Sequence, residues 1–202
     1  MKNFFISAFL IMLLMPINLL IAQECVMGNC ENGKGIMNFP NGVKYIGEFK
    51  DGKAHGKGEV KYPDGSNYSG GFKNGVPDGK GMALFPDGRR LSGVYINGIP
   101  NGKGTVTYPD GSEYIGNFKD GRREGKGKLI FPDKTVYEGD FENDLPNGEG
   151  IVTRPNGSKE KVTANNGAFS TGVMPNVNNI KQEHQEDGHV HDNKNNNKEK
   201  KK

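Results

Sequence analysis

Cysteine occurs only twice in this chain, at Cys25 and Cys30, and of its four histidines only His55 lies in the central part. A structural metal site draws on about four such donors held together, so the body of the protein is expected to hold none. No serine or cysteine accompanies His55 in a recurring arrangement, which removes the nucleophile–base pair that covalent catalysis needs. A helical period is missing as well. Gly-x-Gly recurs throughout, but a dinucleotide or phosphate fingerprint requires a strand running into a helix whose N-terminus faces the phosphate. Gly75 to Lys80 also lacks the spacing and the following Ser/Thr of a P-loop. Charge of one sign is lacking too: residues 31–159 hold 19 Lys/Arg and 17 Asp/Glu, interspersed. A polyanion binder would show a basic stripe instead. These absences point away from an enzyme, a cofactor and a nucleic-acid partner.

What the chain does have is a repeat of 23 residues that runs without slip from Tyr45. Gly47, Gly70, Gly93, Gly116 and Gly139 hold one phase, and Pro40, Pro63, Pro86, Pro109, Pro132 and Pro155 hold another. A fixed period of this size marks a stacked-repeat architecture, in which each unit buries its apolar side only against its neighbours. Numbered from Tyr45, Tyr68, Leu91, Tyr114 and Tyr137, the aromatic residues of the repeats fall on the first, fifth and eighteenth phases alone. The fifth holds Phe49, Phe72, Tyr95, Phe118 and Phe141, and the eighteenth holds Tyr62, Phe85, Tyr108 and Phe131, preceded by Phe39 in a partial leading unit. Rings placed so regularly read as the core, the alternative being a ladder on which a ligand stacks.

Alternation identifies the strands. Tyr45, Gly47 and Phe49 alternate with Ile46 and Glu48, and Gly58, Val60 and Tyr62 alternate with Glu59 and Lys61, so each unit is a two-stranded antiparallel element with one buried face. Asp51-Gly52, Asn74-Gly75, Asn97-Gly98 and Asp120-Gly121 supply the positive φ of tight turns between the strands. Asp64, Asp87, Asp110 and Asp133 each follow a proline; turn chemistry accounts for them without calcium. The glycines inside the strands, Gly56 and Gly58 and their equivalents at phases 12 and 14, read as notches that admit a neighbouring ring. Five full units plus the leading half should give an all-β stack of about ten or eleven strands. The last unit reads as a decaying cap: Asp144 replaces a glycine, Arg154 replaces an aromatic, and only Gly167 marks a sixth copy.

The pattern Tyr-x-Gly-x-Phe-x-x-Gly-x-x-x-Gly-x-Gly, present from Tyr45 to Gly58 and from Tyr114 to Gly127, closely resembles the MORN (membrane occupation and recognition nexus) repeat. The resemblance covers residues 31–159 and departs from the family in placing Phe or Tyr where Trp is usual at phase 5. It implies a curved antiparallel sheet used for protein scaffolding, dimerisation or, in some members, contact with membrane lipid. On this reading the chain divides into a leader (1–22), a repeat domain (23–171) and a polar tail (172–202). The repeat domain holds a partial unit (31–44), full repeats at 45–67, 68–90, 91–113, 114–136 and 137–159, and a degenerate cap at 160–171.

The leader carries Lys2 and an apolar run from Phe4 to Ile21, broken by Pro16 and followed by Ala22. It reads as a secretory signal peptide cleaved before Gln23; a retained membrane anchor is the alternative, because the run is near the lower limit for crossing a bilayer. In an oxidising compartment Cys25 and Cys30 would close a small disulfide loop over the first strand; free thiols and half a metal site are the competing readings. From Gly172 the composition turns to Asn, Lys, Glu and His, too polar to offset ordering entropy, so the tail is expected to be disordered. His184, His189 and His191 among its acids allow weak binding of a transition metal, the alternative being a solvated tail.

The leading expectation is an exported, non-enzymatic scaffold that presents its sheet to a protein partner or to a second copy of itself. The other is a peripheral phospholipid binder whose basic candidate is Arg122, Arg123, Lys126 and Lys128. Sequencing the N-terminus of the released protein should find Gln23 first, whereas Met1 retained in a membrane fraction would establish the anchor.

Overall fold

The computed structural model describes residues 23–170; the leader, the tail and its three histidines lie outside them. Fourteen strands form one open antiparallel sheet in chain order, and no helix occurs among the described residues. β1 (Glu24–Gly28) and β2 (Gly33–Asn38) come first. Five hairpins follow: β3 (Lys44–Lys50) with β4 (Lys53–Lys61), β5 (Asn67–Lys73) with β6 (Val76–Leu84), β7 (Arg90–Ile96) with β8 (Ile99–Thr107), β9 (Glu113–Lys119) with β10 (Arg122–Ile130), and β11 (Val136–Glu142) with β12 (Leu145–Thr153). β13 (Lys159–Asn165) and the short β14 (Ala168–Phe169) close the array. The count exceeds the expected ten or eleven because strands flank the full repeats on both sides. β1 pairs with β2 outside the repeat register, and the faded sixth copy still forms the β13–β14 hairpin.

The turns form as their residues dictate. Asp51 and Gly52 have φ of 51° and 69°, and the later Asn/Asp-Gly pairs repeat that positive pair of angles, which joins right-twisted strands tightly. At the other end of each unit the aspartate after the proline folds back on the chain. Asp64 Oδ1 accepts from the Ser66 N–H at 2.8 Å, and Asp110 and Asp133 do the same for Ser112 and Thr135.

One face of the sheet carries the core. Tyr45, Tyr68, Tyr114 and Tyr137 are buried, and each ring meets the phase-5 ring of its own unit and a ring of the next, phase 5 for the first three and Phe169 for Tyr137, in edge-to-face contacts with centroids 4.9–5.6 Å apart. Leu91 interrupts this series in the third unit. Each tyrosine lies over two glycines. A β-carbon at Gly58 would collide with the Tyr45 ring, and one at Gly47 would stand 2.6 Å from its hydroxyl. Gly81, Gly127 and Gly150 serve Tyr68, Tyr114 and Tyr137 in the same way.

The notch explanation fails at phase 12. Gly79 has nothing within 4 Å of its missing β-carbon, yet its φ is 98°, and Gly56, Gly102, Gly125 and Gly148 share that left-handed conformation. These glycines lie where the ladder slips at a bulge, and backbone geometry requires them. Tyrosine rather than phenylalanine sits at phase 1 for a related reason. Its hydroxyl donates to the carbonyl three residues on, Glu48 for Tyr45 at 2.9 Å, Gly71 for Tyr68 at 3.1 Å, Asn117 for Tyr114 at 3.0 Å and Asp140 for Tyr137 at 3.2 Å. That carbonyl belongs to the segment where the register shifts, so the phenol supplies a partner that the ladder does not.

Phe118→Ala should cost about 3–5 kcal/mol, as aromatic truncation in a core does, while Glu59→Ala on the other face should stay within about 0.5 kcal/mol; equal costs in chemical denaturation would mean the faces are misassigned. Burial raises the phenols of Tyr45, Tyr114 and Tyr137 from 10.0 to about 12 and raises that of Tyr95 as well. Unfolded tyrosines ionise near pH 10, so the stability held by the neutral phenols is complete below that pH and disappears as pH climbs through about 12. Denaturant midpoints followed into alkali should therefore be flat across this contribution up to pH 10 and fall steeply above it.

Candidate functional site

Because the rings saturate one face with the protein's own side chains, the opposite face is the one left to meet other molecules. Its side chains come from phases 2, 4, 13 and 15, which the alternation of the strands turns away from the core. Over β9–β13 this face holds a shallow open depression of about 710 Å³. Two isoleucines stand in it, Ile115 and Ile151, 42% and 40% exposed. The register carries Ile115 across to Lys128, then to Glu138 and then to Ile151, three strand spacings or roughly 14 Å. Around them Lys128 pairs with Glu138 at 3.1 Å and Lys126 with Asp140 at 2.8 Å, both in solvent. Exposed pairs of this kind contribute about 1 kcal/mol at most, and their ions leave readily for another partner.

The basic candidate taken from the sequence does not assemble into one patch. Lys126 and Lys128 lie on the open face, each already opposite a carboxylate, while Arg122 reaches Asn143 at 3.0 Å beside the hairpin turn. Arg123 is 1% exposed and points into the aromatic face. Its guanidinium stands over the Tyr114 ring at 5.5 Å, donates to the Tyr108 hydroxyl at 3.2 Å, and has Nε 3.4 Å from Asp144 Oδ1. Strand alternation causes the separation: consecutive residues of a strand face opposite ways.

Asp144 acquires a different meaning from this pairing. It is the acid that balances Arg123, and it also accepts the Arg123 N–H at 2.8 Å. In the remaining units phase 10 is Ala54, Pro77, Pro100 or Pro146 and phase 8 is Gly52, Gly75, Gly98 or Gly121, so Arg123 and Asp144 depart from the repeat together. The fifth unit is thus modified at this position rather than worn away. The cap begins in the sixth, where Phe169 crosses to the strand opposite Ala164 and packs on Tyr137 at 5.3 Å, taking the place that a phase-5 ring holds elsewhere. Phe169 is the core ring that the repeat pattern missed.

At the other end Cys25 and Cys30 are joined by a disulfide. Cys30 is buried in the core cluster, and its sulfur lies 2.8 Å from where a β-carbon on Gly35 would stand. Gly35 occupies the phase of Gly58, so the disulfide fills the notch that a tyrosine ring fills in later units. Every residue of β1 is exposed. Among the described residues no group of three or more His, Cys, Asp or Glu is placed to hold a metal ion.

Five copies of the MORN repeat match family models, at residues 45–67, 68–89, 92–113, 114–136 and 137–159. The chain belongs to the MORN-repeat family. The match breaks at residues 90–91, where Leu91 stands in for the phase-1 tyrosine. Comparison with curated protein sequences found no match. Among solved structures, the G-box domain of the microcephaly protein CPAP is similar at 18% identity over 65% of this chain and 69% of that one, with a TM-score of 0.44. The SAS-4 TCP domain of Drosophila melanogaster, solved with a proline-rich motif of Ana2, is similar at 14% identity over 72% and 92% of the two chains, TM-score 0.43. The TCP10 domain of Danio rerio CPAP gives 19%, 65%, 68% and 0.37 for the same measures. These distant likenesses have no bearing on function.

Within the MORN array, the Arg123–Asp144 pair yields a sharp test. Asp144→Gly restores the usual MORN residue yet leaves the Arg123 cation buried without its carboxylate, at a cost of about 3–5 kcal/mol. Adding Arg123→Pro should recover most of that stability in thermal or denaturant unfolding, because the double variant carries the residues of the second and third repeats.

Proposed function

We propose that this MORN array is an exported, non-enzymatic scaffold that holds a segment of a protein partner, or of a second copy of itself, against the open face of its sheet at the depression between Ile115 and Ile151. The observation that carries this reading is the exposure of two large aliphatic side chains, 42% and 40%, within a recess whose charged lining includes Lys126 and Lys128, paired with Asp140 and Glu138. Apolar anchors surrounded by a polar rim are the usual anatomy of a protein-binding site. Fully exposed β1 adds a free sheet edge that a strand of another chain can extend. A disulfide near the N-terminus suits an oxidising compartment and supports export, together with the leader sequence.

The phospholipid reading ranks second because its basic candidate is divided between the faces, with Arg123 buried and Lys126 and Lys128 matched by acids. Sedimentation velocity of the intact chain should show a concentration-dependent dimer that is largely indifferent to salt, and Ile115→Glu with Ile151→Glu should weaken it at least about fivefold. Tight, salt-sensitive binding to anionic vesicles by a strictly monomeric chain would reverse the ranking.

A further inference from the structure

Upstream of the depression, the same face carries a second feature that the repeat period conceals. Phase 13 is lysine in five consecutive copies, Lys34, Lys57, Lys80, Lys103 and Lys126, all exposed. The register shows that these five are not equivalent. Lys34 lies opposite Glu48, and Lys126 lies opposite Asp140 and pairs with it. The middle three face neutral residues: Lys57 is opposite Gly71, Lys80 opposite Val94 and Lys103 opposite Asn117. No ion pair engages any of the three among the described residues. Of the nearest acids, Glu59 pairs with Lys61 at 3.4 Å, and Glu48, across from Lys34, lays its carboxylate beside Gly56 without an ion pair among the described residues. Along the flanking row stand Ser69, Met82, Ser92 and Thr105, which are neutral.

We infer that Lys57, Lys80 and Lys103 form a docking row for an acidic segment of a partner polypeptide, lying across the strands. This deepens the reading of the open face as the side that meets partners, and it rests on that reading. Charge complementarity selects an anion, since the row presents three cations in no ion pair among the described residues, and the one acid in the strands between β5 and β9, Asp78, has its carboxylate turned to the Asn97 N–H at 3.4 Å. Geometry then selects an extended chain. Lys57, Lys80 and Lys103 sit on alternate strands, β4, β6 and β8, so successive lysines are about 9.4–9.8 Å apart. A polyproline II segment rises about 3.1 Å per residue with three residues per turn, which brings every third side chain to the same side at about 9.3 Å. An acid at every third position therefore meets each lysine in turn.

Other anions fit the row less well. Single-stranded nucleic acid is gripped through aromatic platforms, and the rings of the repeats belong to the opposite face and its margins. A lipid surface offers a dense sheet of charge, whereas this row is one side chain wide and is bordered by Met82, 43% exposed, and half-buried Val94. Those apolar neighbours suit the side chains that lie between the acids of a polypeptide.

The probe is a fluorescein-labelled peptide of Glu-Pro-Pro repeats, titrated into the intact chain and followed by anisotropy. The expected result is binding that weakens as salt rises and is lost about tenfold in Lys57→Gln/Lys80→Gln/Lys103→Gln, while Lys126→Gln changes it less than about twofold. A Lys-Pro-Pro peptide should not bind. Three results overturn the inference: the triple variant binds the peptide as the parent does, Lys126→Gln loses as much as the triple variant, or the same three lysines are needed for retention on phosphatidylserine vesicles while the peptide fails to bind. Ile115→Glu with Ile151→Glu separates the two claims. Peptide binding unchanged in that variant, with self-association also unchanged, removes the isoleucine site and leaves the lysine row standing; lysine-independent binding does the reverse.

Discussion

A tyrosine bedded on two glycines organises this protein. The ring of Tyr45 occupies the space that β-carbons at Gly47 and Gly58 would take, and its hydroxyl meets the Glu48 carbonyl where the ladder changes register. Each part of that arrangement constrains another. The close approach of ring to backbone demands glycine on both paired strands, the bulge demands a left-handed glycine at Gly56, and the shifted backbone leaves a carbonyl for the phenol. Because each ring also abuts the next unit, the arrangement is both the core of one repeat and its adhesive to the following one. A sheet one layer thick obtains a buried interior this way without a second layer above it.

The ends confirm the rule by the ways in which they depart from it. In the sixth copy Glu160 replaces the tyrosine, and the glycine two residues later is released from its steric duty: Val162 stands there, 4% exposed. Phe169 exchanges sides with Ala164 across the last hairpin, so Tyr137 still receives its ring. The partial leading unit has no phase-1 tyrosine either, and the Cys25–Cys30 bond fills the equivalent notch at Gly35. A small covalent plug is suited to this place, because β1 has a neighbour on one side only and cannot rely on packing from both.

Periodicity made the fold legible. The 23-residue register announced the strands, the buried face and the Asp/Asn-Gly turns, because period-two burial and positive φ leave local marks on residue choice. What it could not announce were features that break the period or depend on pairing. Ten or eleven strands became fourteen because β1, β13 and β14 are built from residues outside the full copies. Phase 12 and phase 14 glycines look alike as letters, although one answers to φ and the other to a ring. Arg122, Arg123, Lys126 and Lys128 are neighbours in sequence, yet pleating sends Arg123 inward and register places acids opposite the two lysines. The depression between Ile115 and Ile151 required the register as well, since the residues belong to different repeats and meet only across strands.

The constraint on one face is what makes the other face free. Every demand of the fold, whether ring, notch, bulge or turn, is met by phases that point to the core or lie in the connections, so substitutions at phases 2, 4, 13 and 15 alter contacts with solvent and little else. Along those phases this chain is far from uniform: isoleucines and paired charges over β9–β13, and over β4–β8 three lysines that enter no ion pair among the described residues and stand opposite neutral ones. Stability does not require that division. A repeat whose core is the same in every copy thus carries two unlike surfaces in series, and a partner that spans both must cross the strands, since each strand runs only nine residues at most whereas the chemistry changes from one hairpin to the next.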